Sequence, residues 1–124
     1  MADIFLIRPA ELADAPAIAA IYAPYVLHGT ETLELVPPEA ARFAEKIETA
    51  ALKGWPFLVA CDGETVIGYA YVTQFRDRPA YRYACENSIY VEAAHHGSGV
   101  GRALLAALID TATQAGFRQM IAVI

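Results

Sequence analysis

Positive charge is scarce in this chain: its 124 residues carry 9 Lys and Arg against 14 Asp and Glu, for a net charge of −5 and a pI near 5.0. Nucleic acid wants a basic face, so that class of partner is excluded. Cysteine is nearly absent too. Cys61 and Cys85 are the only two, too few for a disulfide framework, so free buried thiols are expected. No run approaches membrane-spanning length, and Ala103 to Ile109 is the longest purely apolar stretch near the glycine-rich segment. The opening Met1-Ala2-Asp3 has none of the basic-then-apolar layout of a secretion signal, which makes the cytoplasm the expected compartment. With no repeat, linker or low-complexity tract, residues 1–124 read as one domain with a modest core.

Apolar residues, by contrast, are abundant. They make up 56% of the chain and give a mean hydropathy of +0.34, rich for a small soluble domain. A domain of this composition is expected to bury apolar surface against a partner or to be part of something larger.

Ile4 to Ile7 reads as a first strand ending at Arg8-Pro9. Asp14 is a candidate N-cap for a helix carrying Ile18, Ile21, Tyr22 and Tyr25 at helical spacing, with Pro24 expected to kink or end it. Leu27 to Glu34 reads as loop or short extended chain. Pro37-Pro38-Glu39 opens a second helix that buries Phe43, Ile47 and Ala50 and stops at Gly54. Phe57 to Cys61, the turn Asp62-Gly63, and Thr65 to Val72 form a hairpin signal. Tyr81 to Val91 makes a further strand. A third helix follows, with a stripe of Val100, Leu104, Leu108 and Ala112 widened by Leu105 and Ile109. Gly116 ends it, before an apolar strand from Gln119 to Ile124. The order β-α-α-β-β-β-α-β predicts an α/β fold with one mixed sheet.

Ser88 to Leu105 carries the most chemistry. It runs as strand, turn, glycines at 97, 99 and 101, then amphipathic helix. Such a junction gathers unpaired amides at the positive end of a helix and suits a phosphate or pyrophosphate. A nucleoside-triphosphate loop would need Gly-Lys-Ser/Thr where this chain has Gly101-Arg102-Ala103. A dinucleotide fingerprint would need a third glycine where Arg102 or Leu104 stands. A glycine-rich turn that merely lets helix pack on strand is the alternative.

The spacing His96-x-x-Gly99-x-Gly101 is similar to the pyrophosphate loop of the GNAT superfamily of N-acetyltransferases. Further pieces resemble its phosphinothricin and methionine sulfone/sulfoximine acetyltransferase subgroup: Phe75-Arg76-Asp77-Arg78-Pro79-Ala80-Tyr81-Arg82, Glu86-Asn87-Ser88-Ile89-Tyr90-Val91, and Met120 to Ile124. His96 stands where that family usually has Arg or Gln. The family continues past its fifth strand, so the resemblance implies a GNAT-type mixed sheet truncated after strand five.

What the resemblance implies is an acetyl-CoA-dependent transfer to the amino group of a small amino acid or analogue, without a covalent enzyme intermediate, by a homodimer. The main chain of Ile89, Tyr90 and Val91 would pair with the pantetheine arm. Gly97, Ser98, Gly99, Val100, Gly101 and Arg102 would wrap the pyrophosphate. Glu86 matches the family's glutamate and is the candidate base, its pKa expected to be raised by burial; a solvated strand Glu or a partner for Arg82 is the alternative. Arg76, Arg78 and Arg82, with Tyr81, offer guanidinium groups that bind carboxylates or phosphinates in bidentate fashion. Leu33 is a candidate pocket wall. His95-His96 has no spaced carboxylate or Cys partners, so no metal is expected. The alternative function is a catalytically impaired acyl-CoA-binding or subunit-interaction fragment.

Overall fold

A computed structural model describes residues 5–28, 39–74 and 82–122, without the side chains of 26–28. A five-stranded sheet in the order β1-β2-β3-β4-β5 forms its centre. It is built from β1 (Leu6–Pro9), β2 (Phe57–Asp62), β3 (Thr65–Gln74), β4 (Ala84–Val91) and β5 (Gln119–Ala122), with helices α1 (Ala15–His28), α2 (Ala40–Lys53) and α3 (Val100–Gln114). Neighbouring strands run antiparallel except β4 and β5, which are parallel. The α/β order expected from the sequence is the order found.

Two apolar layers sandwich the sheet. On one face α1 and α2 bury Ile18, Ile21, Phe43 and Ile47 against Phe57, Val59 and Tyr69. On the other, α3 presses Val100, Leu104 and Leu108 against Leu58, Ile67, Ala70 and Cys85. Strand alternation explains how β3 serves both layers, since Tyr69 and Tyr71 face α1 and α2 while Gly68, Ala70 and Val72 face α3. α3 comes close to the sheet at Gly68. A Cβ there would sit 3.1 Å from Leu104 Cδ1, 3.2 Å from the Tyr90 carbonyl oxygen and 3.2 Å from Val100 Cγ1.

Four local expectations are corrected. The first helix runs through Pro24 to His28, so Leu27 and His28 are helical and not loop. Proline removes only one amide near the end of this helix, and Tyr25, the next residue, is anchored by its hydroxyl donating to the Val91 carbonyl at 2.8 Å. Asp14 directly precedes α1, yet its carboxylate accepts two 2.8 Å bonds from Arg8 and one of 2.7 Å from the Glu11 amide instead of capping the helix. A bidentate charged donor outbids a helix amide for that carboxylate. The first described strand begins at Leu6 and includes Arg8 and Pro9, which pair with Val59 and Leu58. Leu105 and Ile109 do not widen the buried stripe of α3; they are exposed, while Val100, Leu104, Leu108 and Ala112 face the sheet.

Candidate coenzyme site

The site grows from the end of β4. Val91 pairs with Gly68 across the sheet, and the following Glu92 amide donates to the Ile67 carbonyl at 2.9 Å. This bond sets the parity of the ladder. Tyr90 exchanges its main-chain bonds with Tyr69 of β3, whereas the amides and carbonyls of Ile89 and Val91 point to the opposite edge. On that edge the described register with β5 runs from Ala84 to Asn87 and goes no further. Ile89 and Val91 therefore turn their main-chain groups to the β5 side of β4, where the Val91 carbonyl accepts from the Tyr25 hydroxyl. Tyr90 contributes its ring instead, edge-on to Tyr22 and Tyr25 at centroid distances of 5.1 Å.

After Glu92 the chain makes a short turn, Ala93–His95, and enters α3 through Gly97 and Gly99. Their φ angles of 83° and 88° lie in the left-handed region, which L side chains adopt only at a penalty. The helical ladder starts with the Ala103 amide donating to the Gly99 carbonyl at 3.0 Å. The amides of Val100, Gly101 and Arg102 lie ahead of that bond, and no side chain caps the helix. They are the donors available to an anion, strengthened by the dipole of a helix 15 residues long.

Beside them is a hollow of about 610 Å³ lined by Val91, His95, His96 and the Gly97–Gly99 turn, with Gly101 and Arg102. Gly101 keeps it open, since a Cβ there would meet only Val91 Cγ2, at 3.6 Å. Ser98 plays a different part, because its amide and hydroxyl both donate to the His95 carbonyl, at 3.3 and 2.6 Å, and hold the turn.

Glu86 lies in mid-β4, half-buried, opposite Thr73 of β3 and Ile121 of β5. It sits four residues before Tyr90, so alternation turns it to the α1/α2 face with the aromatic rings. Ile89 and Val91 pack towards α3. The Glu86 side chain and the glycine loop thus lie on opposite faces of the sheet. Arg82 is exposed with its guanidinium 4.6 Å from the Tyr83 ring centroid, and its hydrogen bond holds the Tyr83 phenol below its ordinary pKa. Leu33, Arg76, Arg78 and Tyr81 lie outside the described residues. Cys85 points into the α3-side core, where burial pushes its thiol pKa up and away from a reactive thiolate.

One group of residues was not legible beforehand. His96 does not turn its ring nitrogen Nε2 to the hollow; that atom lies 2.9 Å from the Val91 carbonyl and 2.8 Å from the Tyr25 hydroxyl. The sequence marks Tyr25 only as a member of a helical stripe, and its meeting with His96, 71 residues away, is purely tertiary.

Comparison with known proteins gives this geometry a context. A model of the acetyltransferase (GNAT) family matches residues 24–124. The phosphinothricin N-acetyltransferase of Alcaligenes faecalis is 42% identical over 109 residues, covering 88% of this chain and 55% of that protein. The L-methionine sulfoximine/L-methionine sulfone acetyltransferase of Salmonella typhimurium is 38% identical over 116 residues, covering 94% and 68%. Among solved structures, a phosphinothricin acetyltransferase from Sinorhizobium meliloti in complex with acetyl-CoA superposes with a TM-score of 0.91 at 45% identity, covering 97% of this chain and 65% of that one. A Salmonella typhimurium acetyltransferase with acetyl-CoA gives 0.91 at 37% identity, covering 95% and 68%. The chain therefore spans between about half and two thirds of the length of these relatives.

Proposed function

Because this chain belongs to the GNAT acetyltransferase family, we propose that it serves an acetyl-CoA-dependent transfer to the amino group of a small amino acid or analogue of the phosphinothricin or methionine sulfoximine type. The observation that carries the reading is the helix entry, where the amides of Val100, Gly101 and Arg102 lie ahead of the α3 ladder beside a hollow of about 610 Å³, with the main chain of Ile89 and Val91 turned to the β5 side of β4. A ligand with an amide-bearing arm and a pyrophosphate matches both. Acetyl-CoA has both, and supplies an acetyl thioester activated towards amines.

The amides ahead of the α3 ladder, with the Arg102 side chain, hold the pyrophosphate. The Val91 and Ile89 main chain aligns the arm, and an amide of this edge donates to the oxyanion that develops as the amine adds. Glu86 takes the proton of the acceptor ammonium, directly or through water, from the aromatic face of the sheet. Arg82, with Arg76, Arg78 and Tyr81, binds the acid group of the acceptor, and Leu33 lines its apolar side. With Cys85 buried as a thiol, the amine attacks the thioester directly: the N–C bond forms, the C–S bond breaks, and coenzyme A leaves as a thiolate that takes a proton from water. The 56% apolar composition suits burial of surface against a second copy, and light scattering checks the homodimer.

The experiment is thiol release from acetyl-CoA in the presence of phosphinothricin, methionine sulfone or methionine sulfoximine. Glu86→Gln should lower kcat about 100-fold and leave the KM for acetyl-CoA within twofold. Turnover unchanged by Glu86→Gln removes the base from the scheme. The second reading is a coenzyme-binding domain without turnover. Calorimetric binding of coenzyme A without thiol release would select it.

A further inference from the structure

We infer that Tyr25 and His96 form a clamp on the Val91 carbonyl that fixes the strand edge relative to the anion loop, so that the two halves of the coenzyme seat act as one. The inference rests on the coenzyme reading above and assigns positioning residues to it. Three contacts close a triangle: Tyr25 hydroxyl to Val91 carbonyl oxygen at 2.8 Å, Tyr25 oxygen to His96 Nε2 at 2.8 Å, and His96 Nε2 to the same carbonyl at 2.9 Å.

Proton counting orders the triangle. The Tyr25 proton goes to the Val91 carbonyl, which leaves the Tyr25 oxygen an acceptor towards His96. Nε2 faces two acceptors, so it must carry the proton, shared between them; an unprotonated Nε2 would set lone pair against lone pair at 2.9 Å. The Val91 carbonyl thus has both its lone pairs filled, by α1 on one side and by the loop on the other. It is the last outward-facing acceptor of β4 before the chain turns. Capped in this way, it offers nothing to a ligand, and the usable edge ends at the Val91 amide.

The clamp also joins three separate elements. Tyr25 comes from α1, Val91 from β4 and His96 from the loop that enters α3. The Tyr25 ring is itself seated on Tyr90 at 5.1 Å. His96 lines both the anion hollow and a second, largely apolar hollow of about 710 Å³ behind it, which Tyr25 and Glu92 share. The clamp therefore stands between two open spaces, next to the Ser98–His95 bonds that hold the turn itself. A ligand that bridges edge and loop is sensitive to their relative placement, because its two halves bind as one event only when both seats are in register. Ligands that occupy one seat alone are not.

The test measures three probes on the full chain: coenzyme A by calorimetry, and adenosine 3′,5′-bisphosphate and pantetheine by ligand-observed NMR. Tyr25→Phe should weaken coenzyme A about tenfold and leave each smaller probe within twofold. His96→Leu should do the same, while His96→Gln, which keeps an N–H donor, should stay within threefold of wild type. If Tyr25→Phe does not fold, the two His96 variants carry the comparison. Unchanged coenzyme A affinity in Tyr25→Phe and His96→Leu overturns the clamp, and so does a parallel loss for all three probes, which marks a general structural effect. A wild-type protein that binds none of the probes overturns the coenzyme reading, and the clamp with it.

Discussion

Replacing Gly68 by alanine adds one methyl group at a crowded point between the sheet and α3. That Cβ would lie 3.1 Å from Leu104 Cδ1 and 3.2 Å from both Val100 Cγ1 and the Tyr90 carbonyl oxygen. The carbonyl belongs to the β3–β4 ladder and cannot retreat, and Leu104 and Val100 are buried to 0% and 1% exposure. Overpacking of this kind costs about 1–3 kcal/mol. Gly68 is not in a left-handed conformation, so alanine regains about 0.4–1 kcal/mol from a less flexible unfolded chain. The net expectation is a loss of about 1–2 kcal/mol. With an unfolding entropy of about 2.1 cal/mol/K per residue, 124 residues give about 260 cal/mol/K, so each kcal/mol moves Tm by about 4 °C. Gly68→Ala should therefore melt about 4–8 °C lower by circular dichroism. Since the methyl pushes on the first turn of α3, the affinity for coenzyme A should fall as well. A Tm within about 1 °C of wild type would show that the layer yields freely and refute the close-packing argument.

The same substitution at Gly101 should act in the opposite sense. Its Cβ meets only Val91 Cγ2, at 3.6 Å, so the higher helix propensity of alanine should raise stability by about 0.5–1 kcal/mol, read from the same melts. At Gly99, φ 88° makes alanine strained by about 1–2 kcal/mol, and the KM for acetyl-CoA should rise severalfold with a smaller change in kcat; equal effects on both would contradict a binding role. Asp14 gives a pH prediction. The Arg8 guanidinium, hydrogen-bonded to it, holds its carboxyl below the ordinary carboxylate range, so the pair stabilises fully above the unfolded pKa of about 3.9. That stability is lost as pH falls through the lower folded value. Asp14→Asn should cost about 1.5–3 kcal/mol at pH 7, and the difference in Tm from wild type should shrink as pH drops below about 4. A difference that stays constant down to pH 2 would reject the linkage.

Much of this molecule can be read locally, because local chemistry decides it. The hairpin of β2 and β3 follows from Asp62-Gly63 between apolar runs. The buried line Val100, Leu104, Leu108 and Ala112 follows from a period of 3.6 residues. The anion loop follows from glycines that must take positive φ just ahead of a helix. Where neighbours distant in sequence compete, that legibility ends. Asp14 reads as a cap until Arg8 supplies a stronger, bidentate donor. Leu105 and Ile109 read as core until the packing of α3 on the sheet leaves them exposed.

The sequence alone determined the order of elements, the family resemblance and the residues from Gly97 to Arg102 as a candidate anion seat, since each depends on short-range spacing. Only the tertiary structure decided which main-chain groups of β4 turn to β3 and which to its other side, because that depends on the parity of its pairing with Gly68. It also decided that His96 Nε2 meets the Tyr25 hydroxyl and the Val91 carbonyl. A hydrogen bond between residues 71 positions apart leaves no periodic trace in the chain; it exists only once α1 and the end of β4 have been packed together.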